Sequence, residues 1–434
     1  MRRYVVLDIE TDGLDPTVIW VCITKDLSNN EIREWYSPDG LKQYLEGACL
    51  VGHNILWFDV VVLNRLWDLG IDPESCVDTL VVSRLINSWD YSAHGLANWG
   101  ERLGFPKTDY HDWSRLTPEM VKYCINDVLL TEKIFLFLKR FIEDDKLKRS
   151  MQIEHRAAII CRELHDNGFG FDIRGSASLY STIEHELKNL STAIQEAFPP
   201  RQVIAKSIFP KPTKTGAISK IDFRWLKDGE TPESIGAEVG VPFHIYRTEE
   251  FNPGSVKQCI EKLNELGWKP TEKTKGHIKC EREFQRARGN DRVLLGQRLK
   301  EYQKTGWTIS DENLETLPDT APAAAKAITR YILLQRRLTT LDEWIESYDN
   351  RTRAIHGQVH AIGTWTHRAS HKAPNTGNIA RVSSEFGGEM RALWMAGHGY
   401  RQVGCDAEGI QLRILAHYMD DKEFTTALVS GKSE

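Results

Sequence analysis

Asp8 and Glu10 are two carboxylates one residue apart in an otherwise apolar, β-branched run, Tyr4-Val5-Val6-Leu7-Asp8-Ile9-Glu10. Such a run reads as a buried strand. Strand residues i and i+2 leave the same face, so both acids point to one place at the end of a hydrophobic strand. Ionised carboxylates are costly there unless cations or donors meet them. Two converging acids suit a divalent cation with oxygen ligands, Mg²⁺ by preference, with Mn²⁺ substituting. Taken alone, the same D-x-E also describes an ordinary solvated strand end.

Three further residues bear on that choice. Asp59 falls on the first turn of a helix that follows the strand end Val51-Gly52-His53-Asn54. Open α/β folds place their sites at such strand ends. Tyr123 and Asp127 are four apart on a strongly apolar helix and share a face. Val128-Leu129-Leu130 after Asp127 places that acid at the core boundary. Singly, each has a structural reading: Asp59 as a helix-start acid, Asp127 as a surface acid, Tyr123 as core. His53 reads as a hydrogen-bonding residue of the strand end, and His94 as a structural residue at a helix start.

These residues need a sheet followed by packed helices. Strands are expected at Val18 to Thr24, Glu31 to Tyr36 and Cys49 to Gly52, with a short helix at Leu41 to Glu46. Helices follow at about 56–68, 77–87, 93–103 and 117–142, which makes residues 1–145 an α/β domain. The ordered set D-x-E, H-N-x-x-x-x-D and Y-x-x-x-D resembles the 3′–5′ proofreading exonucleases with four acids and a tyrosine. The resemblance covers most of residues 4 to 135. It implies a ribonuclease H-like exonuclease domain in which Asp8, Glu10, Asp59 and Asp127 hold two Mg²⁺ ions. Tyr123 would help position the attacking water. Single-stranded 3′ ends would be the substrate.

The middle of the chain, 146–350, reads as mostly helical. A helix from Ile153 stops at Asn167-Gly168, Phe169-Gly170-Phe171-Asp172 turns the chain, and a second helix runs from about Ser176 to Ala197. I-E-x-R with N-G-F-x-F-D resembles the entry to the thumb of family A DNA polymerases, nearest to the replicative enzymes of short-tailed phages. Residues 198–250 break the helical pattern. Seven basic residues lie between Arg201 and Lys227 with only Asp222 opposing them. This reads as an exposed charged loop, or as a thumb insertion touching DNA or a thioredoxin-like processivity factor. Phe251-Asn252-Pro253-Gly254-Ser255 resembles a thumb motif of the family. The Ser255 hydroxyl and the first-turn amides there make a phosphate seat. Ten basic residues between Lys273 and Lys304 outnumber the acids. A basic thumb would track a duplex backbone with salt-sensitive affinity; a solvated charged face is the plain alternative. Ala321 to Tyr348 reads as a long helix.

Residues 351–434 resemble part of a family A palm, an α+β element. Ile355 to Thr366 alternates as a strand. Thr366-His367-Arg368, Pro374-Asn375 and Asn378-Ile379 resemble the T-G-R…P-N-L-Q-N-I-P segment, with His367, Thr376-Gly377 and Ala380 departing from it. The resemblance implies that Arg368, Asn375 and Asn378 contact primer and template, and that Arg391 lies near the primer terminus. Tyr400 to His417 resembles the first palm motif, a strand ending on Asp406 and then a helix. Asp406 would hold polymerase metal. Gln411 stands where the family has a Glu that selects deoxyribose. The fingers and the H-D-E turn of the family are not in these 434 residues. The expectation is therefore the N-terminal portion of a split polymerase that synthesises DNA only with a second polypeptide; the alternatives are a stand-alone 3′–5′ exonuclease whose C-terminal region grips duplex DNA, and a non-catalytic DNA-binding fragment.

Composition agrees with a protein that has cores, at 41% hydrophobic and 27% charged residues. The net charge of −5 does not advertise nucleic-acid binding, so basic surface has to be local. Eight scattered cysteines without metal-type spacing suggest reduced thiols. No apolar run reaches the length of a membrane span. The sequence reads as cytoplasmic, in the host cell if a phage encodes it.

Overall fold

The computed structural model describes residues 2–87, 94–314, 316–397 and 399–430. Its contacts divide the chain into Met1–Asp172 with Ser347–Glu434, and Ile173–Glu346. The last residues of the expected palm, 431–434, lie outside the described residues.

The first strands are β1 (Tyr4–Thr11), β2 (Ile19–Asp26) and β3 (Glu31–Trp35). They are followed by α1 (Leu41–Leu45), β4 (Cys49–Gly52), α2 (Asp59–Trp67), β5 (Val77–Asp78), α3 (Thr79–Ile86) and α4 (Leu96–Arg102). The sheet order is β3-β2-β1-β4-β5. β1 pairs antiparallel with β2 and parallel with β4, and so lies at the centre. Its period of two sorts the core. Val5, Leu7 and Ile9 pack with Leu41, Val60 and Leu63 on one face. Val6 packs with Val51, Cys124 and Val128 on the other. Asp8 and Glu10 belong to the second face, which α5 (Pro118–Ile142) covers. α5 starts where Thr117 Oγ1 accepts from the Met120 amide at 3.1 Å, with Pro118 next to the cap.

Asp144 caps α6 (Asp145–Asn167), whose C-terminal Gly168 takes φ 64°, a left-handed stop that glycine adopts without strain. Then come β6 (Phe169–Phe171) and α7 (Ile173–Ala197). The domain boundary expected at 145/146 falls inside continuous contacts. α6 packs on α3 and on a later strand, and β6 pairs with strands beyond residue 347, which keeps residues 146–172 out of the helical unit.

In the second unit, β7 (Arg201–Ile208) pairs antiparallel with β8 (Phe243–Glu249). Ile208, Ile218, Phe223 and Ala237 close a small core beside this pair. Residues 198–250 are therefore a folded segment and not an open loop. Its sequence hid this because only four or so apolar side chains, widely spaced, build that core. The helices are α8 (Val256–Glu265), α9 (Lys275–Arg286), α10 (Gly289–Thr305), α11 (Asp311–Leu314) and α12 (Ala323–Glu346). α7 lies along α12, tied by Glu186 to Arg330 at 2.9 Å. Ile194, Phe251, Ile260, Leu263, Trp268 and Ile328 form the main core of this unit.

The last stretch holds β9 (Tyr348–Asp349), β10 (Ala354–Ile355), β11 (Gln358–His360), β12 (Ser370–Lys372), α13 (Gly387–Ala392), β13 (Trp394–Met395), α14 (Ile410–Met419) and α15 (Lys422–Val429). The antiparallel sheet β13-β6-β10-β9 belongs to the first unit, and β11 pairs with β12 separately. The strand expected over Ile355 to Thr366 is thus broken. The chain changes sheets at His356-Gly357, where His356 Nδ1 bonds the His165 carbonyl oxygen at 2.7 Å. The strand expected to end on Asp406 does not form. No described strand offers residues 400–406 a hydrogen-bonding partner, and Val403 is 92% exposed. All eight cysteines are free thiols, and no described helix is long and apolar enough to cross a membrane.

Candidate functional site

The shared face of β1 brings Asp8 and Glu10 together beneath α5. A carboxylate oxygen of each and the Cys124 sulfur lie within 4.8 Å of one another. The Cys124 thiol donates to Asp8 Oδ2 at 3.4 Å and contacts the Asp8 carbonyl oxygen at 3.5 Å. Asp59, the first residue of α2, reaches the same strand from the other side. Its Oδ1 accepts from the amide of Ile9, the residue between the two acids, at 3.2 Å. Asp127, one turn beyond Tyr123 on α5, is buried and paired with Lys107. The Lys107 ammonium also sits 4.7 Å from the centre of the Tyr123 ring. Tyr110 and Trp113 flank that ring at 5.8 and 5.7 Å between centroids.

The electrostatics show four acids feeling one another. Burial, then the Asp127 charge, pushes the Asp8 carboxyl up to about 7. Burial, then Asp8 and Asp127, pushes Glu10 up to about 9. Asp59 is raised by burial and then by Asp8. Asp127 is raised by burial, against the pull of Lys107. Burial opposes the Lys107 charge, but Asp127 and Tyr123 together outweigh it and the ammonium is held more firmly than usual. Burial also raises the Tyr123 phenol, which keeps its proton and can donate.

This donor set fits hard divalent cations. It is rich in carboxylate oxygen, its acids resist ionising in their absence, and Asp127 Oδ1 is buried without a hydrogen-bond partner among the described residues. Cys124 is a soft ligand that suits Mg²⁺ poorly. Burial lifts its thiol well above the ordinary value, so it acts as a protonated donor that orients Asp8.

Sequence reasoning missed Lys107 and Cys124. Cys124 was open to discovery, since it lies three before Asp127 on the same helix and faces β1. Lys107 lies in a loop, where no periodicity announces it. Asp78 was missed as well. It is a buried acid that accepts from the amides of Asn54, Leu56 and Leu80 at 2.9, 3.2 and 2.9 Å, a structural role that binds the His53 turn to α3.

His53 is structural, as read: its Nδ1 meets Thr79 Oγ1 at 2.9 Å, and burial holds the ring down to about 3. A ring depressed below its ordinary 6.5 stabilises the fold above pH 6.5, and that contribution is lost as pH falls toward 3. Replacing His53 with Asn should flatten the acid limb of a urea-midpoint profile by an amount on the order of a few kcal/mol. An unchanged limb would deny the ring that role. His94 is also structural, its Nδ1 2.6 Å from Ser83 Oγ.

The other expected site residues do not join this cluster. Ser255 caps α8, accepting from the Gln258 amide at 3.5 Å. Arg391 Nε and Nη2 hold the Ala380 and Ile379 carbonyl oxygens at 2.7 and 3.3 Å, beside Asn378. Asn375 Oδ1 accepts from Gly377 at 3.0 Å, and the Arg368 amide donates to Thr364 Oγ1 at 3.0 Å. Asp406 and Gln411 are exposed, and no cluster of three or more described His, Cys, Asp or Glu ligands includes Asp406.

Residues 289–433 match the profile of DNA polymerase family A. The DNA-directed DNA polymerase of Escherichia phage T7 is 26% identical over 98% of this chain and 71% of its own length. That of Enterobacteria phage T3 is also 26% identical, with the same coverage of each chain. DNA polymerase I of Chloroflexus aurantiacus is 34% identical over 31% of this chain and 14% of its own. Among solved structures, the POL domain of Pol1 from M. smegmatis, in complex with DNA primer-template and dNTP, shares the fold. It has a TM-score of 0.62 and 17% identity, and the match covers 97% of this chain and 60% of that one.

Proposed function

We propose that this relative of the family A DNA polymerases is a replication protein whose first domain is a two-metal 3′–5′ proofreading exonuclease. One observation carries the reading: Asp8 and Glu10 share a strand face with Tyr123 and Asp127 above them, while Asp59 binds the amide between them. The central β1 with one antiparallel and one parallel neighbour supports a ribonuclease H-like domain. Asp8, Glu10, Asp59 and Asp127 would hold two Mg²⁺. When bound, these would lower the pKa of a water and stabilise the departing 3′ oxygen. Tyr123, protonated and braced by Tyr110 and Trp113, would orient that water. Cys124 would fix the Asp8 rotamer.

In this reading Ile173–Glu346 is the body of a thumb, with 198–250 as an insertion that meets DNA or a thioredoxin-like processivity factor. Ser255 would seat a backbone phosphate. Arg368, Asn375, Asn378 and Arg391 would contact primer-template DNA, Asp406 would hold polymerase metal, and Gln411 would line the sugar pocket. A polymerase centre needs a second carboxylate and cationic groups for the triphosphate. No cluster of three or more described metal-ligating side chains includes Asp406, and in this reading polymerisation would call on a second polypeptide segment. That same observation favours, as a second reading, an exonuclease whose later residues only grip duplex DNA.

The chain with Mg²⁺ should shorten 5′-labelled single-stranded DNA progressively from the 3′ end, and a chelator should stop it. Degradation that persists in chelator, or none with metal, would remove the proposal. Primer extension by this chain unaided would overturn the need for a second segment.

A further inference from the structure

We infer that Trp57 is a positioning residue of the exonuclease site, and that the stretch read as palm helps to hold it through β11. This rests on the exonuclease reading above. Trp57 stands two residues before Asp59, at the end of the turn that delivers that acid to β1. The turn is tight. Asn54 takes φ 69°, its carbonyl oxygen accepts from the Trp57 and Phe58 amides at 3.1 and 3.2 Å, and that of Ile55 accepts from Val60 at 3.1 Å. The Asp78 carboxylate holds the first half of the turn, through the amides of Asn54 and Leu56. The second half is held at Trp57, by elements far along the chain.

Two elements grip it. Arg162 on α6 donates from Nη1 to the Trp57 carbonyl oxygen at 2.9 Å, and its guanidinium lies 5.3 Å from the centre of the indole. Asp166 fixes Nε and Nη2 at 3.0 and 2.6 Å, so the planar fork is already set where it meets the carbonyl. The rings of His165 on α6 and His360 on β11 lie 5.3 and 5.6 Å from the indole. His360 Nε2 is buried without a hydrogen-bond partner among the described residues, so the ring acts here by packing and not through that nitrogen. α6 and β11 act together, since they pack on each other and His356 Nδ1 bonds the His165 carbonyl oxygen at 2.7 Å. A cavity of about 40 Å³, lined among others by Trp57, Arg84, Glu154 and His360, gives the indole room to turn once either grip is lost. Asp59 answers at Ile9. β1 pairs with β4 only from Tyr4 to Val6, so the Ile9 amide lies past the end of that ladder and donates to the Asp59 carboxylate instead. That bond reports where Asp59 stands. A misplacement of about 1 Å costs on the order of a hundredfold in rate, so an acid carried on a loosened turn slows the reaction without hindering the binding of the strand.

Hydrogen exchange at the Ile9 amide of the whole chain, free of metal, tests this without turnover. Arg162→Ala and His360→Ala should each speed that exchange by about tenfold or more and leave the Val6 amide within about twofold. Arg162→Lys, which still reaches the Trp57 carbonyl, should stay within about threefold of wild type. With Mg²⁺, kcat for removal of 3′ nucleotides should fall by about tenfold or more in both alanine variants, with KM for single-stranded DNA within about twofold. Wild-type exchange at Ile9 in either alanine variant overturns the inference and leaves the exonuclease reading in place. A wild-type chain without Mg²⁺-dependent degradation overturns that reading and the inference with it. Should Arg162→Ala fail to fold, Asp166→Asn decides, because it frees the guanidinium fork from a side chain that is 47% exposed. It should speed Ile9 exchange by about threefold, and no change overturns the inference.

Discussion

Asp8→Ala lowers Mg²⁺-dependent degradation of single-stranded DNA by about a thousandfold or more. Stabilisation by a metal ion is worth several kcal/mol in the transition state, and each 1.36 kcal/mol is roughly a factor of ten in rate. Asp8 is at the centre of the cluster, since its charge acts on Glu10 and Asp59 and its carboxylate lies in one ligand group with Glu10 and Cys124. Asp59→Ala should follow it closely, because the acid that binds the Ile9 amide also orders the strand between the two others. The loss is one of chemistry and not of folding. Removing a carboxyl that burial already disfavours leaves the metal-free chain no less stable, so urea midpoints in chelator should stay level or rise. Unaltered degradation by the Asp8→Ala chain, with purity checked against a mock preparation, would remove these acids from the site.

What could be read from the residues, and what could not, divides along physical lines. Strand periodicity is local and strict, so the common face of Asp8 and Glu10 followed from two residues alone. The long apolar helix carrying Tyr123 and Asp127 was equally legible, with Thr117-Pro118 marking its start. Contacts made across the fold were not. Lys107 reaches Asp127 over a separation of 20 residues from a loop whose path is set by a glycine on α4. β6 pairs with strands more than a hundred residues later, which is why the boundary expected at 145/146 lies elsewhere. The run before Asp406 shows the opposite failure. Its residues suit a strand, but a strand exists only where a neighbour accepts its hydrogen bonds, and none is described. Beyond it, α14 leaves Ile410, Leu412, Ile414 and Leu415 about half exposed.

With divalent cations chelated, the chain should lose stability steadily as pH rises from about 6.5 toward 9, and Mg²⁺ should restore it. Glu10 holds its proton up to about 9 in the folded chain against an ordinary value of 4.5. Asp8 holds its own up to about 7 against 3.8. A carboxyl raised on folding stabilises the fold fully below its unfolded value, and the contribution is lost as pH climbs through the folded value. His53 and the lowered carboxyls such as Asp26 act in the opposite sense, but they have finished titrating by about pH 6.5, so they add a level term above it. The buried thiols of Cys22 and Cys124 are also held protonated in the fold, and because an unfolded thiol ionises near 9 they add their own loss of stability only as pH approaches that value. A decline between about pH 6.5 and 8, below the range of the thiols, therefore belongs to buried acids held protonated in the fold, Glu10 and Asp8 with the raised Asp78 and Glu154, and only its reversal by Mg²⁺ assigns it to the cluster. Cations that take the place of those protons bind the folded chain alone, and at a hundredfold over the dissociation constant they contribute about 2.7 kcal/mol. The gap between Mg²⁺ and chelator should accordingly widen with pH. Urea midpoints at three pH values, with and without chelator, measure it directly. A chelated chain that is level or more stable at the alkaline end would mean that the four carboxyls are solvated or otherwise neutralised, and the metal centre would go with them.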